Sequence, residues 1–267
     1  MKFNLVYNKI IPNYEHSLEL VEDTLISRNI EYQKFELSEL SVFGDISIVI
    51  GGDGTLLRAA RFYANSQTPV LGINLGRLGF LSQIEVNSFD KEIDKVLNKE
   101  YSVEERLMLT SGEYTALNDF VIKGCNPTRT SKFFLEIDGE LVCDYIADGL
   151  IVATPTGSTA YGLSAGGPIL HPSLSAIVVV PICPHTLNAR PLVIPADDTI
   201  TVRTSEELLS VAIDGYDTTK CFDKISIKTS QNRALLAFIN NSRFYSTLSF
   251  YSTLRNKLNW GFMPEKS

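Results

Sequence analysis

The chain has 267 residues, with 24 Lys and Arg against 31 Asp and Glu, for a formal net charge of −7. That length allows one large domain or two modest ones, and 44% hydrophobic with 21% charged residues excludes a disordered, collagenous or coiled-coil chain. The acidic balance speaks against a general nucleic-acid binder, which needs a basic face to displace counterions.

Met1 to Val6 reads directly into a strand, with no basic segment leading a long apolar stretch, so the expectation is a cytoplasmic protein. After Pro12-Asn13, the residues Leu18, Val21, Leu25 and Ile26 recur at helical spacing, with Asn13 as the predicted N-cap. Ile30 to Phe35 alternates like a strand. Ile46 to Ile50 is a short β-branched run of the kind buried in parallel sheets. A Gly-rich turn leads into a predicted helix at Leu56 to Tyr63. Val70 to Ile73 is the next strand, and Ser88 to Asn98 is a charged helix turning Ile93, Val96 and Leu97 inward. Strand–helix alternation predicts an α/β domain, residues 1–99, with a mostly parallel, doubly wound sheet.

Beyond Tyr101, strand-like runs follow one another: Arg106–Leu109, Leu117–Ile122, Phe133–Ile137, Leu141–Tyr145, Leu150–Ala153, Ala176–Val180, Thr199–Arg203, Ser210–Ile213, Lys224–Lys228 and Leu235–Ile239. Asp138-Gly139 is a hairpin signal, since both central residues must take φ > 0. The prediction is a β-rich second domain over residues 100–244. A helix at Tyr245 to Asn259, with Leu248, Tyr251, Leu254 and Leu258 on one face, returns residues 245–267 to the first domain.

From Gly149 to Ala189 there is no Asp, Glu, Lys or Arg. Five prolines interrupt it, so it offers no stretch of ~20 apolar residues to cross a bilayer. It must pack against a core, a ligand or another subunit. The four cysteines form no CxxC pair and read as ordinary reduced thiols. None of the three histidines has the i,i+4 spacing of a helical metal site, which argues against a His-ligated structural metal.

Gly51-Gly52-Asp53-Gly54-Thr55 follows a predicted parallel strand and precedes a helix, where α/β proteins bind ligands. Glycines let the backbone approach a phosphate, and the helix N-terminus adds positive partial charge. Asp53 would repel a phosphate, so it suits a general base, a holder of Mg²⁺ or a helix cap. Arg58, one turn on, is a phosphate contact or a solvated surface group. Phe80, in the loop Asn74 to Phe80, packs on a base or ribose or anchors the loop. Asn118-Asp119 suits a nucleoside, an amide for an adenine edge and a carboxylate for ribose hydroxyls, and is equally turn chemistry. The block Asp148 to Pro168 carries no charge after Asp148 and is dense in hydroxyls, suited to wrapping a polar ligand or to burial at a subunit contact. Its Gly162-x-Ser164-x-Gly166 spacing is accidental: no strand runs directly into it, and no acid lies between Ser164 and the following histidines.

Together these motifs resemble the NAD kinase family over nearly the whole chain. Gly51-Gly52-Asp53-Gly54-Thr55, Asn118-Asp119 and the block from Asp148-Gly149 through Tyr161 to Pro172 are similar to that family's motifs, as less specifically are Asp214-Gly215 and Phe250 to Gly261. The resemblance implies transfer of a phosphoryl group from ATP or polyphosphate to the 2′-hydroxyl of the adenosine ribose of NAD⁺, giving NADP⁺. It implies Asp53 as the base, with Gly54, Arg58 and a divalent metal, Mg²⁺ foremost, at the donor phosphates. Asn118, Asp119, Asp148, Thr156, Thr159, Ala160, Tyr161 and Ser164 would hold NAD⁺, with Arg129 a further contact. It also implies a homo-oligomer, tetramer or dimer, with no nucleic-acid or membrane partner. Two positions depart from many relatives: Ile146 stands in place of an arginine and Tyr216 in place of a glutamine. The rival readings are a diacylglycerol-type lipid kinase, which shares the Gly-Gly-Asp-Gly-Thr turn, and a non-catalytic dinucleotide sensor.

Overall fold

The structure is a computed structural model. It describes residues 1–75, 79–81, 84–126, 130–205, 208–239 and 250–258. The chain divides into two compact units, Met1–Glu105 with Leu235–Ser267, and Arg106–Ala234.

The first unit contains strands β1 (Lys2–Tyr7), β2 (Glu31–Glu36), β3 (Ile46–Ile50), β4 (Val70–Asn74), β5 (Ile84–Glu85) and β6 (Tyr101–Arg106), and helices α1 (Tyr14–Ser27), α2 (Asp53–Tyr63) and α3 (Phe89–Leu97). The second contains β7 (Leu109–Ser111), β8 (Tyr114–Ala116), β9 (Asp119–Gly124), β10 (Ser131–Ile137), β11 (Glu140–Ala147), β12 (Gly149–Ala153), the short helix α4 (Tyr161–Ser164), β13 (Ala176–Ile182), β14 (Leu192–Pro195), β15 (Ile200–Thr204), β16 (Leu209–Ile213), β17 (Tyr216–Phe222) and β18 (Lys224–Thr229). The chain then re-enters the first unit through β19 (Ala234–Ile239) and helix α5 (Phe250–Leu258).

In the first unit the sheet order is β2-β1-β3-β4-β19-β6, with β5 alongside β4. The ladders from β2 through β19 are parallel. Alternate side chains Phe3, Leu5, Ile46, Ile48, Ile50, Leu71 and Ile73 pack with Leu18, Val21 and Leu25 of α1 and Phe89, Ile93 and Val96 of α3. Tyr63 of α2, fully buried, donates its hydroxyl to Ser41 O at 2.9 Å. Helices on both faces explain why β3 and β4 are buried at every residue and carry no polar alternation.

One buried polar residue ties this sheet to its connection. Asn4 is fully buried. Its Oδ1 accepts from the backbone N–H groups of Phe43 and Gly44, both at 2.8 Å, and its Nδ2 donates to Ser47 Oγ at 2.9 Å. Asn4→Ala removes the acceptor of two part-buried N–H groups at once, each loss costing about 1 kcal/mol. The expected result is a lower urea midpoint at unchanged m-value in equilibrium denaturation.

The second unit is two antiparallel sheets, β11-β10-β15-β18-β7-β8 and β14-β13-β12-β9-β16-β17. Phe133, Leu135, Val202 and Ile225 of the first interdigitate with Phe120, Ile122, Leu150, Val179 and Val211 of the second. The outer face of the second sheet is also buried: Val121, Ile151, Ala153, Val178 and Val180 pack against Leu170 and Ala165. The charge-free stretch is therefore a strand pair covered on both faces, partly by its own intervening loop. Asp138-Gly139 turns the β10–β11 hairpin with φ of 49° and 84°.

Several expectations need correction. Asn13 does occupy the N-cap of α1, but with φ of 60° and no side-chain capping bond. The run Arg106–Leu109 is not one strand. It is split between β6 and β7, which belong to different sheets. Leu235–Ile239, placed in the β-rich domain by sequence, instead extends the parallel sheet, Leu236 lying opposite Val70. An apolar run says only that a strand is buried, not beside which partner. In α5 only Thr253 and Leu254 are buried, while Tyr251 and Leu258 are exposed; Leu248 lies outside the described residues. Among the described residues no helix is long and apolar enough to cross a membrane.

Candidate active site

In the first unit the chain leaves β1 for β2 on one side, and β3 lies on the other. The sheet's switch point is therefore between the carboxyl ends of β1 and β3, the usual ligand crevice of an open α/β sheet. Asn8, just past β1, donates to Thr55 Oγ1 at 3.4 Å across it. Gly51 N–H donates to Ile73 O at 2.9 Å, tying the turn to β4. A Cβ on Gly51 would lie 2.6 Å from Thr55 Oγ1, whereas at Gly52 and Gly54 it would meet open space.

Gly52, not Asp53, occupies the N-cap of α2, and Asp53 is the first helical residue. The Asp53 carboxylate instead accepts the N–H of Phe80 on Oδ2 at 2.8 Å and of Leu81 on Oδ1 at 3.1 Å. A Cβ on Gly79 would sit 1.9 Å from Oδ1, so that glycine is what lets the carboxylate reach the loop. Each carboxylate oxygen has two acceptor directions, so among the described residues one on each remains for a proton or a metal ion. Phe80 is thus beside the acid through its backbone. Arg58 is half-buried one turn into α2, facing interactions of its own.

In the second unit the polar residues converge at one end of β9 and β12. Thr154 N–H donates to Asn118 O at 2.9 Å, Thr154 Oγ1 donates to Leu117 O at 2.6 Å, and Gly157 N–H donates back to Thr154 Oγ1 at 3.0 Å. Ser158 Oγ donates to Pro155 O at 2.7 Å and accepts from Leu170 N at 2.9 Å. The hydroxyls of Thr154 and Ser158 are thus consumed in building the turn. Thr159 Oγ1 donates to Thr156 O at 3.2 Å, Ala160 N–H closes the turn on Gly157 O at 2.9 Å, and Tyr161 is 40% exposed. Thr156 differs. It is 7% exposed, and its Oγ1 has no hydrogen-bond partner among the described residues. A buried hydroxyl left unbonded is uncommon and marks a place where a ligand can supply the missing partner.

Asp214 was missed by sequence reasoning as a site residue. Its carboxylate accepts three consecutive backbone N–H groups, from Leu117 at 3.0 Å, Asn118 at 2.8 Å and Asp119 at 3.2 Å. The signal was present: Asp214-Gly215, with φ of 48° and 83°, is the same hairpin pair as Asp138-Gly139. Asp119 lies beside it at 3% exposure. Burial, and secondarily the Asp214 charge, push the Asp119 carboxyl up to about 7. Because the folded value exceeds the unfolded one, the contribution to stability is complete below the ordinary carboxyl range. It is lost as pH rises through about 7. Thermal melts should therefore show Tm falling between mildly acidic and neutral pH, and Asp119→Asn should flatten that slope and raise Tm at pH 8.

Asp148 stands at the far end of β12, and Ser164 one turn on from Tyr161 in α4. Asp148 is exposed and precedes β12, whereas Thr154 follows it. Five strand residues, about 16 Å, separate it from the Asn118–Thr156 cluster. Ser164 ends α4 and is exposed. Arg129 lies outside the described residues.

Residues 16–101 match the ATP-NAD kinase N-terminal domain, and residues 117–240 the ATP-NAD kinase C-terminal domain. The chain is 40% identical over 262 residues to the NAD kinase of Pseudomonas fluorescens SBW25, covering 92% of this chain and 87% of that protein. It is 43% identical over 229 residues to that of Pseudomonas putida F1, covering 81% and 76%. The crystal structure of an NAD kinase from Archaeoglobus fulgidus in complex with ATP superposes with a TM-score of 0.76 at 28% identity, over 96% of this chain and 99% of that one. Yeast NADH kinase complexed with NADH shares the fold, with a TM-score of 0.82 at 23% identity, over 100% of this chain and 90% of that one. Sequence over nine-tenths of the chain and the architecture of both units agree: the chain belongs to the NAD kinase family.

Proposed function

We propose that the chain transfers the terminal phosphoryl group of ATP, or of polyphosphate, to the 2′-hydroxyl of the adenosine ribose of NAD⁺, producing NADP⁺. The observation that carries this is Asp53: a carboxylate that does not cap its helix, set after two glycines at the switch point, with acceptor capacity left on both oxygens. Binding phosphate alone gains nothing from an anion there, which disfavours a non-catalytic sensor.

In this reading Asp53 takes the 2′-hydroxyl proton as the ribose oxygen bonds to phosphorus and the donor's bridging oxygen leaves. The Gly51–Gly54 turn and the α2 N-terminus receive donor phosphates, with Arg58 opposing their charge. Asn118, Asp119, Thr156, Thr159, Ala160 and Tyr161 hold the dinucleotide. Asp119, titrating near neutrality, is able both to accept and to give hydrogen bonds to ribose hydroxyls. Asp214 fixes the backbone that carries Asn118 and Asp119.

A divalent metal fits this arrangement in one way. Among the described residues no three His, Cys, Asp or Glu side chains gather to hold an ion, but Mg²⁺ typically takes one or two carboxylates and relies on substrate phosphates for the rest. Asp53 would supply the protein ligand, and the ion would neutralise charge on the transferring group. The net charge of −7 makes such local inversion of the field necessary for polyanionic substrates. The reading extends to a cytoplasmic homo-oligomer, dimer or tetramer, to be checked by light scattering. The hydroxyl-rich surface around Thr156 disfavours an acyl chain and hence a lipid kinase. The direct test is purified protein with NAD⁺, ATP and Mg²⁺, read out by an NADP⁺-specific dehydrogenase. Absence of NADP⁺ with ATP and with polyphosphate overturns the proposal.

A further inference from the structure

We propose that Cys125 and Cys221 form an intramolecular disulfide under oxidising conditions, making this pair a modification site that staples β9 to β17 across β16. The two residues are 96 positions apart in sequence, and their Sγ atoms lie 2.9 Å apart. Both side chains are exposed, so a small oxidant reaches them.

The register explains how residues from non-adjacent strands meet. Leu209 of β16 lies opposite Gly124 on one side and Phe222 on the other. Cys125 follows Gly124, and its N–H donates to Leu208 O at 2.9 Å. Cys221 lies opposite Ser210. The two thiols are therefore one residue to either side of the Leu209 level. Leu209 points into the core between the sheets, so by the two-residue period both thiols stand on the opposite face. They face each other diagonally above the backbone of β16. A disulfide needs about 2.05 Å between sulfurs, under ~1 Å closer than the observed separation, and Cα atoms within about 7 Å; because β9 and β17 flank β16, closure also draws the ends of these two strands together.

The chemistry is thiol–disulfide exchange with a small disulfide such as oxidised glutathione. One cysteine thiolate attacks a glutathione sulfur, and one glutathione thiolate leaves. The second cysteine thiolate then attacks the protein sulfur of the mixed disulfide and expels the other glutathione. The two protein thiols are oxidised, one glutathione disulfide is reduced to two thiols, and the thiol protons end on glutathione. β17 is the last strand of its sheet and, among the described residues, pairs only with β16. An edge strand held by one ladder opens locally more easily than a central one. The staple gives it a second attachment, to β9.

The test uses the whole protein, titrated with oxidised glutathione, followed by intact mass and by peptide mapping without reduction. The expected result is loss of two hydrogens per chain, a linked Cys125–Cys221 peptide pair, reversal by dithiothreitol, and slower amide exchange in β17 when oxidised. Cys125→Ser and Cys221→Ser should each instead retain one stable glutathione adduct on the remaining partner, because the resolving thiol is gone. Their reduced melting curves should match wild type. Persistent glutathione adducts on Cys125 or Cys221 of the unmodified chain, as distinct from adducts on Cys143 or the exposed Cys183, or a link only between two chains, overturns the proposal.

Discussion

Asp53→Asn is expected to lower the rate of NADP⁺ formation by about 10²–10⁴-fold, the range for loss of a positioned general base, with NAD⁺ affinity largely unchanged. The substitution keeps size and shape but removes the proton acceptor. It has a second consequence. In the native site both oxygens accept N–H groups, from Phe80 and Leu81. An asparagine presents its NH₂ to one of these, donor against donor, which costs about 1–3 kcal/mol where the group is out of water. The Gly79–Leu81 loop should therefore loosen as well. The two effects separate in measurement. Loosening of the loop alone should raise KM for the phosphate donor more than it lowers kcat, whereas loss of the base lowers kcat at saturating donor and acceptor. Calorimetric titration of NAD⁺ into the variant, beside saturating kinetics, decides between them. Turnover close to wild type would make Asp53 a loop anchor only.

Gly157→Ala should be the most damaging single-atom-scale change in the second unit. A Cβ there would lie 2.1 Å from the Asn118 carbonyl oxygen, 2.5 Å from its carbon and 2.7 Å from its Cα, all backbone. None of these can swing aside as a flexible side chain does. Asn118 is also held by Thr154, whose N–H donates to the same carbonyl, and by Asp214. Relief must come from shifting the turn away from β9, which carries Thr156 and Thr159 away from Asn118 and Asp119. Overpacking of this kind costs typically 1–3 kcal/mol, and in a chain of this size each kcal/mol lowers Tm by roughly 2–4 °C. A fall in Tm of several degrees, with KM for NAD⁺ raised at least about tenfold, is the expected outcome. Gly54→Ala is the steric control: a Cβ there meets nothing within 4 Å, so the melting temperature should hold. If Gly157→Ala melts and binds NAD⁺ as wild type, the close approach of the turn to Asn118 does not shape the dinucleotide site.

Local signals carried much of the molecule. The β-branched run Ile46–Ile50, the Gly-rich turn and the apolar period of α2 and α3 were enough for an α/β unit, because burial on both faces leaves a parallel strand no polar positions. Asp138-Gly139 was enough for a hairpin, since few residue pairs accept two positive φ angles. What was not legible was non-local. The strand Ala234–Ile239 has the composition of a buried strand in either unit, and only its pairing with β4 assigns it. Asp214 and Asn118 are 96 residues apart; Asp214-Gly215 signals a hairpin, but not that its carboxylate will cap three N–H groups of the other segment.

The same division runs through the candidate site. Residue identities determined which groups can do chemistry here: one acid among glycines, an amide beside a carboxylate, and a neutral run of hydroxyls. Only the folded chain decided which of those groups are spent on structure. The hydroxyls of Thr154 and Ser158 are consumed by backbone partners, Thr156 is buried with its hydroxyl unbonded among the described residues, and Asp53 is clamped to a loop nearly thirty residues away. Hydrogen-bond capacity belongs to the residue type, but its satisfaction depends on which groups the tertiary fold brings within about 3 Å, and that is not a property of any local stretch of sequence.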